Sequence, residues 1–356
     1  LTSYINSFSR NVRDIFEKFE FTAEIEKMRE ANILYLVVSK FNDVDLHPDV
    51  VDNIEMGLLF EDLIRRFNEA ANETAGDHFT PREVIRLMVD ILFAPDDAIL
   101  TTKGIVRKLL DPACGTGGML TVAEEALHEL AEQHGKEVSI HLFGQEINPE
   151  TYAICKADLL LKGEGDEAEN IVGGADKSTL SADQFRSREF DFMISNPPYG
   201  KSWKIDLERM GGKDGIKDLR FVINHAGDPE YSLITRSSDG QMLFLANMLS
   251  KMKHGTVLGS RIAEVHNGSS LFTGDAGQGE SNIRRWIIER DWLEAIVALP
   301  LNMFYNTGIA TYVWVLSNRK PEHRMGKVQL IDATGWYKPL RKNLGKKNCE
   351  LTEEDI

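Results

Sequence analysis

The chain has 356 residues, of which 42% are hydrophobic and 27% charged, and its formal net charge is −15. This length allows a large core and about two domains, and the balance is that of an ordinary globular protein. No apolar run is long enough to span a bilayer, and LTSYINSFSR at the start does not read as a signal peptide. The three cysteines, Cys114, Cys155 and Cys349, are too few for a disulfide framework and suit a reducing, cytoplasmic compartment. No Cys or His spacing suits zinc, so no metal is expected. Nucleic acid repels so acidic a chain on average, so any contact with it needs a local basic surface or a partner.

Residues 1–75 read as a helical N-terminal domain. Ile15, Phe19, Ile25 and Met28 recur at helical spacing, and so do Val50, Ile54, Leu58, Ile64 and Phe67. From residue 76 to 356 strands and helices alternate. IVRKLLDPA is a strand and GGMLTVAEEALHELAEQH a helix. SIHLFGQE is a strand and NPETYAICKADLLLKG a helix. NIVGGAD and FDFMISNPP are strands, and QMLFLANMLSKMKHG is a helix. TVLGSRI is a strand and ESNIRRWIIERD a helix, and WLEAIVALP and IATYVWVLS close the series as strands. This alternation predicts an α/β fold: a doubly wound, mostly parallel sheet with helices on both faces and an antiparallel hairpin at its edge. Residues 200–238 and 266–280 take no element and read as long loops over a binding face. There is no internal repeat.

DPACGTGGML follows the first strand and opens a helix. Gly115, Gly117 and Gly118 let the backbone turn tightly and let a ligand approach closely, at the sheet edge where such folds bind ligands. The pattern is neither GxGxxG nor GxxxxGK[ST]. Glu146 ends the second strand. It can accept from both hydroxyls of a ribose or simply favour the start of the following helix. Asp176 follows the third strand and can accept from an adenine amino group, or serve the turn alone. Thr80 can cap a helix with Pro81 at its first position, or it can line a cofactor's methionine end together with Phe79. The sequence does not separate those two readings.

In FMISNPPYG a strand runs into a stiff Pro–Pro turn. The exocyclic amine of a base is a poor nucleophile because its lone pair is delocalised into the ring. Acceptors placed on its N–H bonds stabilise the charge that develops on nitrogen. The Asn196 side-chain oxygen and the Pro197 carbonyl are the candidate acceptors, and the Tyr199 ring is a candidate stacking face for a flipped base. Together with the glycine turn and the two acids, this predicts amine methylation from S-adenosylmethionine.

The chain resembles amino-methylating DNA methyltransferases of the S-adenosylmethionine-dependent, Rossmann-like fold. DPACGTGGML is similar to their cofactor loop, NPPY to their catalytic motif and HFTPREV to their upstream cofactor motif, in the gamma order. The resemblance is closer still to the modification subunits of type I restriction–modification systems, through residues 267–320 and the N-terminal helical region. It implies that Asp77, His78, Phe79, Thr80, Pro81, Arg82, Asp111, Pro112, Cys114, Gly115, Thr116, Gly117, Gly118, Glu146, Asp176 and Asn196 bind the cofactor. It further implies that Asn196, Pro197, Pro198 and Tyr199 are catalytic. The activity implied is N6-methylation of adenine in double-stranded DNA. The partners implied are a specificity subunit that holds two copies of this chain and a restriction subunit. Family members usually continue into a C-terminal helical region that engages the specificity subunit, whereas this chain stops at LTEEDI. In keeping with a subunit that does not read sequence, no basic recognition module is evident. The rival readings are an N4-cytosine methyltransferase, a release-factor glutamine methyltransferase and a non-catalytic assembly subunit.

Overall fold

The computed structural model describes residues 1–47, 49–51, 56, 80–93, 106–133, 139–163, 165–305 and 307–356. Its strands in chain order are β1 (Val106–Asp111), β2 (Ser139–Glu146), β3 (Ile171–Gly173), β4 (Phe192–Ser195), β5 (Val222–His225), β6 (Asp228–Ser232), β7 (Arg261–Asn267), β8 (Leu293–Ala298), β9 (Thr311–Ser317), β10 (Gln329–Asp332), β11 (Lys338–Leu344) and β12 (Lys347–Glu350). Eight of them form one sheet in the order β10-β8-β9-β7-β4-β1-β2-β3. Within it β9 is antiparallel to both neighbours, and the other pairings are parallel.

Both faces of the sheet are covered, so its central strands are apolar runs rather than alternations. On β1, Leu109 enters one core and Leu110 the other. The first core is closed by the helices Arg82–Phe93, Gly118–Gln133 and Pro149–Leu161, through Met88, Leu92, Leu120, Leu127, Cys155 and Leu159. The second is closed by the helices Gln241–Leu249 and Gly279–Glu289, through Leu243, Leu245, Ile283 and Ile287. Local signals place these helices. Asn148 caps the helix Pro149–Leu161 by accepting from the Glu150 and Thr151 backbone N–H groups, with Pro149 at the first position, where no N–H is needed.

Near the N-terminus lie the helices Thr2–Ile5, Arg10–Lys18, Phe21–Glu30 and Leu34–Asn42, with Ile15 and Ile25 buried. The helix Arg10–Lys18 packs on Pro149–Leu161, where the Tyr152 hydroxyl donates to Asp14 at 2.7 Å. Ile54, Leu58, Ile64, Phe67 and the division at residue 75 lie outside the described residues. Among the described residues no helix is long and apolar enough to cross a membrane.

Four sequence expectations change. The β8–β9 hairpin is not the sheet edge, because β9 inserts between β7 and β8 and β10 adds outside β8. Residues 200–238 are built rather than looped: they hold the helix Lys204–Arg209 and the hairpin β5–β6, with Trp203, Phe221, Tyr231 and Leu233 in the second core. Residues 266–280 include the short helix Ser269–Phe272. The strand expected at 256–262 instead begins at Arg261. Its polar residues are buried in pairs, Arg261 with Glu294 and Glu264 with His266, so RIAEVHN lacks the apolar signature of a central strand.

Candidate functional site

Because β1, β2, β3 and β4 run parallel, their carboxyl ends share one edge, and the segments that leave them line a single crevice of about 400 Å³. Asp111, Pro112, Cys114, Gly115, Thr116 and Gly118 come from the exit of β1, and Gln145, Glu146 and Ile147 from the exit of β2. Ser178 and Thr179 follow β3, and Asn196, Pro198 and Lys201 follow β4. Thr80 and Arg82 close the side beside the helix Arg82–Phe93. A volume of this size suits a nucleoside-sized ligand.

The β1 loop is shaped by close backbone approach. Gly117 has φ +87°, and a Cβ there would lie 2.6 Å from Cys155 Sγ, so only glycine fits without strain. The loop is then fastened to β2. Cys114 N–H donates to the Gln145 carbonyl at 3.1 Å, and Gly115 N–H donates to Glu146 Oε2 at 3.0 Å. Glu146 Oε1 accepts from Asn148 N–H at 2.8 Å. Glu146 therefore serves both the glycine loop and the start of the next helix, and a carboxylate has about four lone-pair sites in all. Cys114 is buried beneath the loop. A hydrogen bond with the Cys155 thiol, and then burial, raises its pKa well above the usual thiol range.

Asp111 is fully buried at the end of β1. Its Oδ1 accepts from Ala113 N–H at 3.0 Å and from the Ser195 hydroxyl at 2.9 Å. Burial outweighs both bonds and pushes its pKa up to about 7.

On the β4 side, Asn196 is half-buried. Its Nδ2 donates to the Thr80 hydroxyl at 3.0 Å, whereas its Oδ1 is shut from solvent with no hydrogen-bond partner among the described residues. The Thr80 hydroxyl is thus an acceptor for Asn196, and no cap bond from it to the helix Arg82–Phe93 occurs among the described residues. The turn itself is held from behind. Gly200 N–H donates to Asp239 Oδ1 at 3.1 Å. Asp239 Oδ2 in turn accepts from Gln241 Nε2 at 2.7 Å, which also reaches Asn267 at the end of β7.

Not every expected residue reaches the crevice. Asp176 is exposed in the turn after β3 and does not line it. β3 ends at Gly173, and the chain re-enters only at Ser178 and Thr179, where Thr179 donates to the Pro112 carbonyl at 2.5 Å. Pro81, Gly117 and Pro197 are buried behind the lining, and Tyr199 is half-buried against the first core. Asp77, His78 and Phe79 lie outside the described residues.

Several residues of the site carried no sequence signal. Gln145 holds residues 177–184 by donating to the Lys177 and Ala182 carbonyls and accepting from Gln184 N–H. Arg220 buttresses the same segment by donating to the Thr179 and Leu180 carbonyls, both at 2.8 Å. Only Ile147, an apolar residue left 47% exposed directly after Glu146, could have been suspected as a face for a flat ring.

The sheet order and the glycine loop at its carboxyl edge define a class: the S-adenosylmethionine-dependent methyltransferase fold. The structure superposes on a Listeria monocytogenes protein assigned to class I of those enzymes, with TM-score 0.60 at 16% identity, covering 90% of this chain and 84% of that one. It also superposes on the methyltransferase subunit of a type I restriction–modification system from Streptococcus thermophilus, with TM-score 0.59 at 24% identity, covering 78% of this chain and 50% of that one. The profile of the N-6 DNA Methylase family matches residues 52–356, and the chain belongs to that family. Among curated relatives, the methylase subunit of type I restriction enzyme MjaIX from Methanocaldococcus jannaschii is 28% identical over 326 residues, 90% of this chain and 50% of that protein. The chain spans about half the length of the curated relatives it matches.

Proposed function

We propose that this chain is the modification subunit of a type I restriction–modification system and transfers a methyl group from S-adenosylmethionine to N6 of an adenine flipped out of duplex DNA. The carrying observation is the Asn196 Oδ1 atom, buried without a partner beside a glycine-lined crevice. Buried polar atoms in native proteins are nearly always bonded, so an orphan acceptor at a ligand crevice calls for a donor brought by the substrate.

The residues present fit the cofactor. The loop at Gly115, which lines the crevice at positive φ, leaves room for a nucleoside against bare backbone. Glu146, which lines the crevice at the exit of β2, is the candidate acceptor for ribose hydroxyls, and the exposed Ile147 side chain offers an apolar face to adenine. When bound, S-adenosylmethionine supplies an electrophilic methyl carbon. Asn196 Oδ1 then takes an N–H bond of the target amine and favours the positive charge that grows on it. The Pro197 carbonyl, which accepts no hydrogen bond among the described residues but lies behind the lining, is the candidate for the second N–H. Thr80 fixes the Asn196 amide so that its oxygen, not its nitrogen, faces the substrate, and Asp239 holds the turn through Gly200.

The same reading assigns residues 1–75 to a helical domain and 76–356 to the catalytic domain. It places the chain in the cytoplasm, two copies to a specificity subunit, with a restriction subunit joining. That the Methanocaldococcus jannaschii relative is a methylase subunit supports assembly with partners. The test is methyl transfer from labelled cofactor to an adenine-containing duplex, to a duplex whose only exocyclic amines belong to cytosine and guanine, and to a release factor. Label recovered as N6-methyladenine is expected. Label on cytosine N4 or on a glutamine amide would replace the reading with one of those chemistries.

A further inference from the structure

Against a net charge of −15, the hairpin β11–β12 reverses the local sign. Residues 338–350 carry Lys338, Arg341, Lys342, Lys346 and Lys347 against one acid, Glu350, whose backbone pairs across the ladder with Lys338. Lys347 is used internally: it is buried, pairs with Glu83 and donates to the Cys349 carbonyl at 2.6 Å. The other four cations are exposed, and among the described residues none of them makes an ion pair or a side-chain hydrogen bond. Trp336 and Tyr337, just before β11, are 49% and 46% exposed.

This surface is fixed in place. Gly345 has φ +64°, and a Cβ there would fall 2.5 Å from the Tyr305 carbonyl oxygen. Lys346 N–H donates to that oxygen at 2.8 Å, and Asn348 N–H donates to the Asn302 carbonyl at 3.1 Å. Its position is also defined. Residues 302–305 follow β8, which by its pairings runs parallel to β1, β4 and β7 and so ends at the crevice edge. The Lys347–Glu83 pair fastens the hairpin to the first turn of the helix Arg82–Phe93. Arg82, which lines the crevice, is the neighbouring residue, and Thr80, the partner of Asn196, lies three residues away.

Resting on the DNA reading above, we propose that β11–β12 holds the phosphate backbone of the duplex beside the flipped base. Lys338, Arg341, Lys342 and Lys346 neutralise phosphates, and Trp336 and Tyr337 lie against sugar or base faces. Basic residues with interleaved aromatics are the footprint of nucleic-acid contact, and phosphate contacts position a protein without reading sequence. The hairpin is the local basic surface that so acidic a chain needs, and its cations are too few and too scattered in sequence to stand out as a basic module. An acidic protein surface is the rival occupant. The duplex is favoured because the cations stand beside the site to which a target base must come.

The test titrates a fluorescent adenine-containing duplex against the full chain at several salt concentrations. The chains compared are the wild type, the combined Lys338→Gln, Arg341→Gln, Lys342→Gln and Lys346→Gln variant, and Lys342→Gln alone. Each lost phosphate contact lowers the slope of log affinity against log salt by about 0.9. The combined variant is therefore expected to flatten the slope by about 2–4 and the single variant by about 1. Cofactor affinity, read by calorimetry, should not change, because none of the four residues lines the crevice. A combined variant that keeps the wild-type slope overturns the proposal. So does one that keeps duplex binding but no longer associates with a partner subunit, which would make the hairpin a protein dock. A wild-type chain that binds cofactor and no duplex at any salt also overturns it, leaving duplex contact to a partner subunit, whereas label recovered on no adenine in the methyl-transfer assay above would overturn the DNA reading itself.

Discussion

On the β1–β2 side of the crevice the turning backbone is tied down by protein: Gly115 and Asn148 N–H to Glu146, Cys114 N–H to Gln145, and Ala113 N–H to Asp111. On the β4 side Thr80 and Asp239 hold the turn, and its acceptor Asn196 Oδ1 is buried without a partner among the described residues. The first wall is complete without a ligand and would bind by shape, through bare backbone and a rigid loop. The second is incomplete until a donor arrives. Under the proposed function the completed wall would hold the cofactor, and the incomplete one would act on the target. Variants on the two sides should therefore fail in different measurements.

The largest effect is expected at Asn196. Asn196→Ala should lower methyl transfer by about 10²–10³-fold, the usual cost of one positioned acceptor or donor at a site of developing charge. Cofactor affinity by calorimetry should stay within about twofold, since the lost interaction belongs to the target. If cofactor binding fell in step with activity, the two sides would not be separate. Next comes Glu146→Ala, which should weaken cofactor binding by about 10–100-fold, from charge-assisted bonds of about 1.5–3 kcal/mol each, with a smaller change in turnover at saturating cofactor. Equal loss of turnover at saturation would contradict the assignment.

Gly117→Ala should destabilise the protein by about 1–3 kcal/mol, from a non-glycine residue at positive φ and contact with Cys155. Urea unfolding measures this, and combining it with Cys155→Ala should restore part of the loss by removing Sγ. No recovery in the double variant would place the strain in φ alone.

The smallest effect on transfer is expected from Asp111→Asn, whose Oδ1 keeps both of its bonds. Its signature is in stability against pH. The folded pKa of Asp111 lies near 7, above about 3.9 for an unfolded aspartate. The folded state therefore binds the extra proton, and its stabilising contribution, full below about pH 4, is lost as pH rises through about 7. Wild-type stability should fall over that interval relative to the variant. Parallel curves for the two would show that Asp111 is not the titrating group.

The completed wall was also the more legible in sequence. β2 ends at Glu146 as SIHLFGQE implies, and DPACGTGG forms the loop after β1, because strand ends, glycines and a Pro-started helix are local signals. The NPPY turn after β4 is local too. What escaped is non-local or hidden by burial. Gln145 and Arg220 act on carbonyls 32 to 41 residues away in sequence. β7 buries Glu264 and His266 against each other, which periodicity reads as surface. Asp176 follows a strand of only three residues, and the turn beyond it carries that acid outward. β10, β11 and β12 are short or exposed and rich in charge, so their pattern is that of a loop.

The most direct measurement is a structure of the chain with a non-reactive cofactor analogue and a duplex bearing a flipped adenine. N6 of that adenine should lie at hydrogen-bonding distance, about 2.7–3.2 Å, from Asn196 Oδ1, with the analogue against Gly115 and Glu146. An Oδ1 atom still without a donor, or one bonded to protein while the base sits elsewhere, would contradict the account.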